Sequence, residues 1–141
     1  MQESSGAIAA RLVDAFAAGD LETALSTIHP RCVVHEPDAV PYAGDWPGRD
    51  GFGRLAAAMA DLFEVVFRQR TIIHDGDVAV MRADVTFTSR ATGRAFDTSV
   101  VEVYTVEEGL IFEVDVYYKN PEAIRTLSQD TARADASVGP D

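Results

Sequence analysis

The sequence predicts an α+β fold, a cone-shaped α+β barrel in which a curved antiparallel sheet wraps around N-terminal helices and encloses an internal pocket. Apolar residues recur at helical spacing as far as Val66, and after Arg68 the pattern switches to two-residue alternation broken by turn signals. With 47% of its 141 residues hydrophobic, the chain has material for one core and length for one domain. Helices first and a meander afterwards imply that the helices cover one face of the sheet.

The elements follow in order. Ile8, Leu12 and Phe16 form one stripe of a first helix, which Gly19-Asp20 closes. Asp20 can cap a short second helix carrying Leu21, Leu25 and Ile28, stopped by His29-Pro30. Val33 to Glu36 reads as a strand, and Pro37 to Gly48, with three prolines and two glycines around Tyr42 and Trp46, as a loop. A third helix starts near Asp50 and lines up Phe52, Leu55, Met59, Phe63 and Val66. Turn signals at Asp75-Gly76, Thr92-Gly93 and Glu108-Gly109 then divide four antiparallel strands. Asn120-Pro121 opens a last short helix ending near Ser128, so the domain spans 1–128. Residues 129–141 are rich in Ala and Asp with Val138 as the only large apolar residue, and they read as a disordered tail.

Composition narrows the function. Against 12 Lys and Arg stand 23 Asp and Glu, a formal charge of -11 that repels phosphate backbones and anionic lipid. Neither nucleic acid nor a membrane is expected as a partner. Met1 to Gly6 lacks the basic and apolar regions of a secretory signal, and a cytoplasmic location is expected. The single Cys32 reads as a small apolar residue entering a strand. No zinc spacing, glycine-rich phosphate loop or nucleophile elbow occurs, so no cofactor or metal is expected; His35, Glu36 and Asp38 are the one set able in principle to ligate an ion.

Alternation isolates the chemistry. One face of the third meander strand reads Phe96, Thr98, Val100, Glu102, Tyr104 and Val106, a lone carboxylate among mostly apolar neighbours. A buried Glu without a partner costs several kcal/mol or takes up a proton, which marks Glu102 as a candidate functional group. In the last strand Phe112, Val114, Val116 and Tyr118 share a face, while Glu113, Asp115, Tyr117 and Lys119 lie opposite, outside the pocket. Val34-His35-Glu36-Pro37 brings Glu36 to the edge of the loop with Tyr42 and Trp46, and alternation turns His35 the other way. His29 and His74 read as surface or turn residues. Periodicity alone sends Arg82 and Asp84 to solvent, opposite Ala79, Met81, Ala83, Val85 and Phe87.

From Ala10 to Asn120, the Gly19-Asp20 break, the Val34-His35-Glu36-Pro37 strand end and the Gly109-centred hairpin resemble the SnoaL-like branch of the nuclear transport factor 2-like superfamily. That group includes ketosteroid isomerase, limonene epoxide hydrolase and polyketide cyclases. The resemblance implies a cone around a deep pocket, often dimeric through the sheet. Ala10 to Pro37 is similar to the corresponding stretch of ketosteroid isomerase, which puts Glu36 where that family keeps its carboxylate base and Glu102 where it keeps a protonated Asp. Its hydrogen-bonding Tyr corresponds to Leu12, which argues against steroid isomerisation as such. Arg82-Ala83-Asp84-Val85 resembles the hydrolase strand that supplies an Arg and an Asp to a catalytic triad, which would move Arg82 and Asp84 into the pocket. The triad's other Asp matches Val116, and the water-binding Tyr and Asn match Val34 and Glu36, so the full water-activating set is missing.

The resulting expectation is a cofactor-independent acid/base cyclase or isomerase for an apolar metabolite. Glu36, the wetter carboxylate, would be the base, and Glu102 the acid. Arg82 and Asp84 would assist if epoxide opening is the reaction. Tyr42, Trp46 and Tyr118 would close a pocket that Leu12, Phe16, Val100, Tyr104, Val114 and Val116 line. An epoxide hydrolase and a non-catalytic small-molecule-binding protein are the alternatives. A homodimer is expected, formed through the apolar face of Ala79, Met81, Ala83, Val85 and Phe87.

Overall fold

The computed structural model describes residues 3–137, with side chains as far as Gln129. Its sheet has six strands: β1 (Ile28–Glu36), β2 (Gly44–Pro47), β3 (Phe63–Asp75), β4 (Val78–Ser89), β5 (Ala95–Glu107) and β6 (Leu110–Tyr118). Their spatial order is β2-β1-β6-β5-β4-β3, so the sheet is curved but unclosed, with β2 and β3 at its edges. All neighbours are antiparallel except β1 and β6, a parallel pair within a sheet that alternation predicts as wholly antiparallel. Helices α1 (Ser5–Ala17), α2 (Leu21–Ser26) and α3 (Gly48–Leu62) precede the meander, and α4 (Pro121–Ser137) follows it.

Local chemistry sets the helix ends. The Ser4 hydroxyl accepts from the Ala7 amide at the start of α1, and the Asp20 carboxylate accepts from Thr23 at the start of α2. Helix α2 ends at Ser26, and Ile28 is the first residue of β1 rather than part of the helix. Phe63 likewise leaves the α3 stripe: its φ of -136° is extended, and it begins β3, taking Val66 with it. The stretch Pro37 to Gly48, expected as loop alone, contains β2, whose Trp46 and Asp45 lie opposite Val34 and His35. Helix α4 runs beyond the end near Ser128, with Ile124 and Leu127 as its buried anchors. The tail expectation falls largely on residues beyond Gln129, whose side chains lie outside those described.

The core sits between the helices and the concave face of the sheet. Ala79, Met81, Ala83, Val85 and Phe87 are each no more than 2% exposed on that face. This overturns the argument that they form an uncovered dimer face; α1 and α4 pack against β4 within one chain. A bulge between Phe67 and Gln69 resets the alternation of β3, so that Val65, Phe67, Arg70 and Ile72 oppose Phe87, Val85, Ala83 and Met81 on the inside. A second irregularity between Thr105 and Val106 puts Ile111 rather than Phe112 in the core, and Phe112 meets the edge of the His29 ring.

Candidate active site

A cavity lies between α1, α3 and the concave sheet. Its helical wall comes from Leu12, Val13 and Phe16 of α1 and from Phe52, Leu55 and Met59 of α3. The space open to the centre of a water molecule is about 60 Å³. Two carboxyl groups enter this apolar chamber.

Glu36 arrives from β1. In register, Val34 lies beside Val114 and His35 beside Asp115, so the residues on either side of His35 face inward and His35 outward. Glu36 is the last residue of β1 and lies opposite Gly44 across the hairpin. The segment between them buries Val40 and Tyr42, and Glu36 is only 8% exposed. One of its oxygens, Oε1, is buried without a hydrogen-bond partner. Burial pushes the carboxyl up to about 9, the charge of Glu102 adds to this, and the Tyr118 hydroxyl opposes it. The expectation of a wetter, ionised Glu36 is therefore corrected: it is the better proton holder at neutral pH.

Glu102 comes from β5 with Met81 and Val116 as its cross-strand neighbours, both buried. It keeps part of its surface open and lines the cavity. Burial raises its pKa, while a hydrogen bond donated by the Tyr104 hydroxyl lowers it and favours the charged form. The Tyr42 and Tyr118 hydroxyls are 2.7 Å apart, and burial raises both phenols, so both stay protonated donors. The Trp46 indole N–H donates to the Tyr42 carbonyl at 3.1 Å and ties β2 to the segment that covers Glu36.

Glu36, Glu102, Leu12, Phe16, Val100, Tyr104, Val114, Val116 and Tyr118 all line the cavity. Tyr42 stands one hydrogen bond behind it, and Trp46 stands behind Tyr42. Arg82 and Asp84 do not join them. They pair with each other at 3.5 Å on the opposite face of β4, with the Arg82 side chain 63% exposed. Arg82 lies beside Val101 and Asp84 beside Ser99, so register sides with periodicity against the hydrolase-like placement. Asp115 faces outward as the alternation predicts.

The sequence reading misses Phe52, Leu55, Val65, Phe67, Val85 and Phe87 as lining residues. Their helix stripe and strand alternation mark them as core, and the same signal serves a core that contains a hole. His29 is buried rather than at the surface and bonds Glu108 at 3.0 Å. The Cys32 thiol is 1% exposed and pushed up to about 12 by burial, which makes it a packing residue.

Of the set His35, Glu36 and Asp38, Glu36 faces in while His35 faces out, so the three do not converge. His35 gathers instead with Glu113 and Asp115, polar atoms within 4.8 Å of one another. Its two nitrogens sit 2.7 Å from Asp45 and 2.8 Å from Glu113. The bond to Asp45 is the first cause of a raised imidazole pKa, which favours the protonated ring among these carboxylates.

Residues 9–114 match the SnoaL-like domain family, and the chain belongs to it. No curated protein matches the chain. Solved structures show the same fold. An NTF2-like protein of unknown function from Burkholderia pseudomallei is 20% identical over 89% of this chain and 98% of its own, with a TM-score of 0.79. A candidate polyketide cyclase from a Silicibacter species is 22% identical over 87% of this chain and 94% of its own, with a TM-score of 0.75. TerC, co-crystallised with polyporic acid, is 18% identical over 89% and 98%, with a TM-score of 0.79.

Proposed function

We propose that the chain is a cofactor-independent acid/base cyclase or isomerase acting on an apolar small metabolite of polyketide or terpenoid type. The observation that carries this reading is the convergence of Glu36 and Glu102, from β1 and β5, on one cavity with otherwise apolar and phenolic walls. Two carboxyls in one largely apolar chamber oppose each other's ionisation, so the pair retains a proton at neutral pH. Glu36, raised by its burial and further by the charge of Glu102, and with an unpartnered oxygen, keeps that proton. Glu102, supported by the Tyr104 hydroxyl, is the partner that carries the charge.

In this reading Glu36 gives its proton to a carbonyl, enol or epoxide oxygen, and Glu102 takes one from a neighbouring carbon or hydroxyl. The substrate's proton count is unchanged and the two carboxyls exchange charge states, which one proton transfer between them reverses. General acid/base transfer supplies about 10²–10⁴ in rate, and the shape of the cavity supplies positioning. Relatives described as candidate polyketide cyclases support a polyketide-type substrate. Epoxide opening by a hydroxyl of the substrate fits the same pair. Hydrolysis by an Arg82 and Asp84 set does not, because both face away from the cavity.

The test compares the metabolites of cells carrying wild type, Glu36→Gln, Glu102→Gln and Asp115→Asn. A compound consumed by wild type and Asp115→Asn should accumulate with either Gln variant, each reducing turnover by about 100-fold or more. Wild-type profiles from both Gln variants would leave a cavity that binds without catalysis.

A further inference from the structure

The lining of the cavity selects the charge of its occupant. Among the described residues no Arg, Lys or His lines it, and its polar side chains are two carboxyls and two phenols. Arg70 shares the concave face but lies outside the lining and pairs with Asp14 of α1. The walls carry the rings of Phe16, Phe52, Phe67, Phe87, Tyr104 and Tyr118. Phe16 meets Phe52 at 6.0 Å and Phe67 at 6.4 Å between ring centroids, both with near-perpendicular planes. Ring faces attract cations and repel anions.

Glu36 supplies the directional part. It is more than nine-tenths buried, and its Oε1 is an acceptor without a donor. Leaving such a group unpaired in a buried site is unfavourable, so an occupant that brings an N–H recovers that loss. At roughly 10–15 Å³ per water, the cavity has room for about five waters, or one six-membered ring with a short arm.

We propose that this cavity takes a compact apolar amine, held as its ammonium by Glu36 among aromatic side chains, and rejects organic anions. The ammonium in water at pH 7.5 leaves one proton to solvent on entry; the lone pair of the free amine then forms a new N–H bond as the Glu36 O–H bond breaks, leaving a carboxylate and an ammonium. No net charge enters the chamber in that exchange. A carboxylate ligand instead adds a second negative charge beside Glu102 with no cation in the lining to meet it. The proposal rests on the same pair as the function above, but concerns the occupant's charge rather than turnover.

Calorimetric titration of wild type and Glu36→Gln with benzylamine, benzyl alcohol and benzoate at pH 7.5 tests it. Benzylamine should bind wild type about tenfold more tightly than benzyl alcohol, and benzoate should not bind measurably. Glu36→Gln should erase the amine's advantage while moving benzyl alcohol by less than about threefold. Benzoate binding as well as benzylamine, no binding of any probe, or an amine advantage that survives in Glu36→Gln would each overturn it. The ligand series on wild type stands even if the variant misfolds. Should the amine advantage be absent while Glu36→Gln still abolishes turnover, this inference fails and the acid/base reading is untouched.

Discussion

Glu36 links the chemistry of the site to the stability of the fold. Its carboxyl is raised from an ordinary 4.5 to about 9, so the folded state favours its protonated form. That contribution is fully present below about pH 4.5 and is lost as pH rises toward 9, because the unfolded chain releases the proton first. Glu36→Gln keeps the shape without the proton, so the variant should gain stability relative to wild type across that window. Denaturant melts at pH 4, 7 and 9 check the sign, and a difference that does not change with pH would place Glu36 in contact with solvent. Alternation alone was enough to turn Glu36 and Glu102 inward. The protonation order was not legible, because it depends on Val40 and Tyr42 folding over Glu36 and on the Tyr104 hydroxyl reaching Glu102.

At the scale of elements, the junction of β2 with α3 packs helix against strand backbone with no room for a side chain at Gly51. A Cβ on Gly51 would lie 2.6 Å from the Trp46 carbonyl carbon, a backbone atom that cannot rotate aside. Gly51→Ala should therefore destabilise by about 1–3 kcal/mol despite a helix-propensity gain of about 1 kcal/mol. Gly6→Ala is the contrast, since its Cβ would meet the ring of His74 at 2.4 Å and that exposed side chain can swing away. Thermal melts should show Gly51→Ala well below Gly6→Ala, and equal melting temperatures would mean that the β2 contact yields. The same region shows where sequence patterns stop. Phe63 and Val66 extend the α3 stripe at spacings of four and three, and spacings of four belong to helix and strand alike, so the boundary at Leu62 leaves no periodic trace. Strand β2 is four residues long, contains a Gly and a Pro, and owes its existence to β1 beside it. For Arg82 and Asp84, a short likeness to a catalytic strand pulled against alternation, and the pairing register of β4 with β5 decided for alternation.

For the whole molecule, the helices cover the concave face and leave the convex one open. Ile73 is 65% exposed, Tyr117 58% and Val78 40%, and Val80, Val101 and Val103 lie in register between the strands that carry them. A homodimer is still expected, now through this face rather than through Ala79 and Met81. Light scattering should give a dimer mass at micromolar concentration, and the double variant Ile73→Glu with Tyr117→Glu should give a folded monomer; a wild-type monomer would contradict it. Removing residues 130–141 should shift the melting temperature by less than about 2 °C, because the buried anchors of α4 are Ile124 and Leu127. A larger drop would show that the tail docks.

The central claim is that two carboxyls share one largely apolar cavity and hold a proton there at neutral pH. Carbon-13 NMR titration of the Glu side-chain carboxyls, assigned with Glu36→Gln and Glu102→Gln, measures it directly. Glu36 should titrate with a midpoint of about 9 and Glu102 above the ordinary 4.5. If both carboxyls instead titrate near 4.5 and are fully ionised at pH 7, the cavity is wet, the pair holds no proton, and the acid/base account is contradicted.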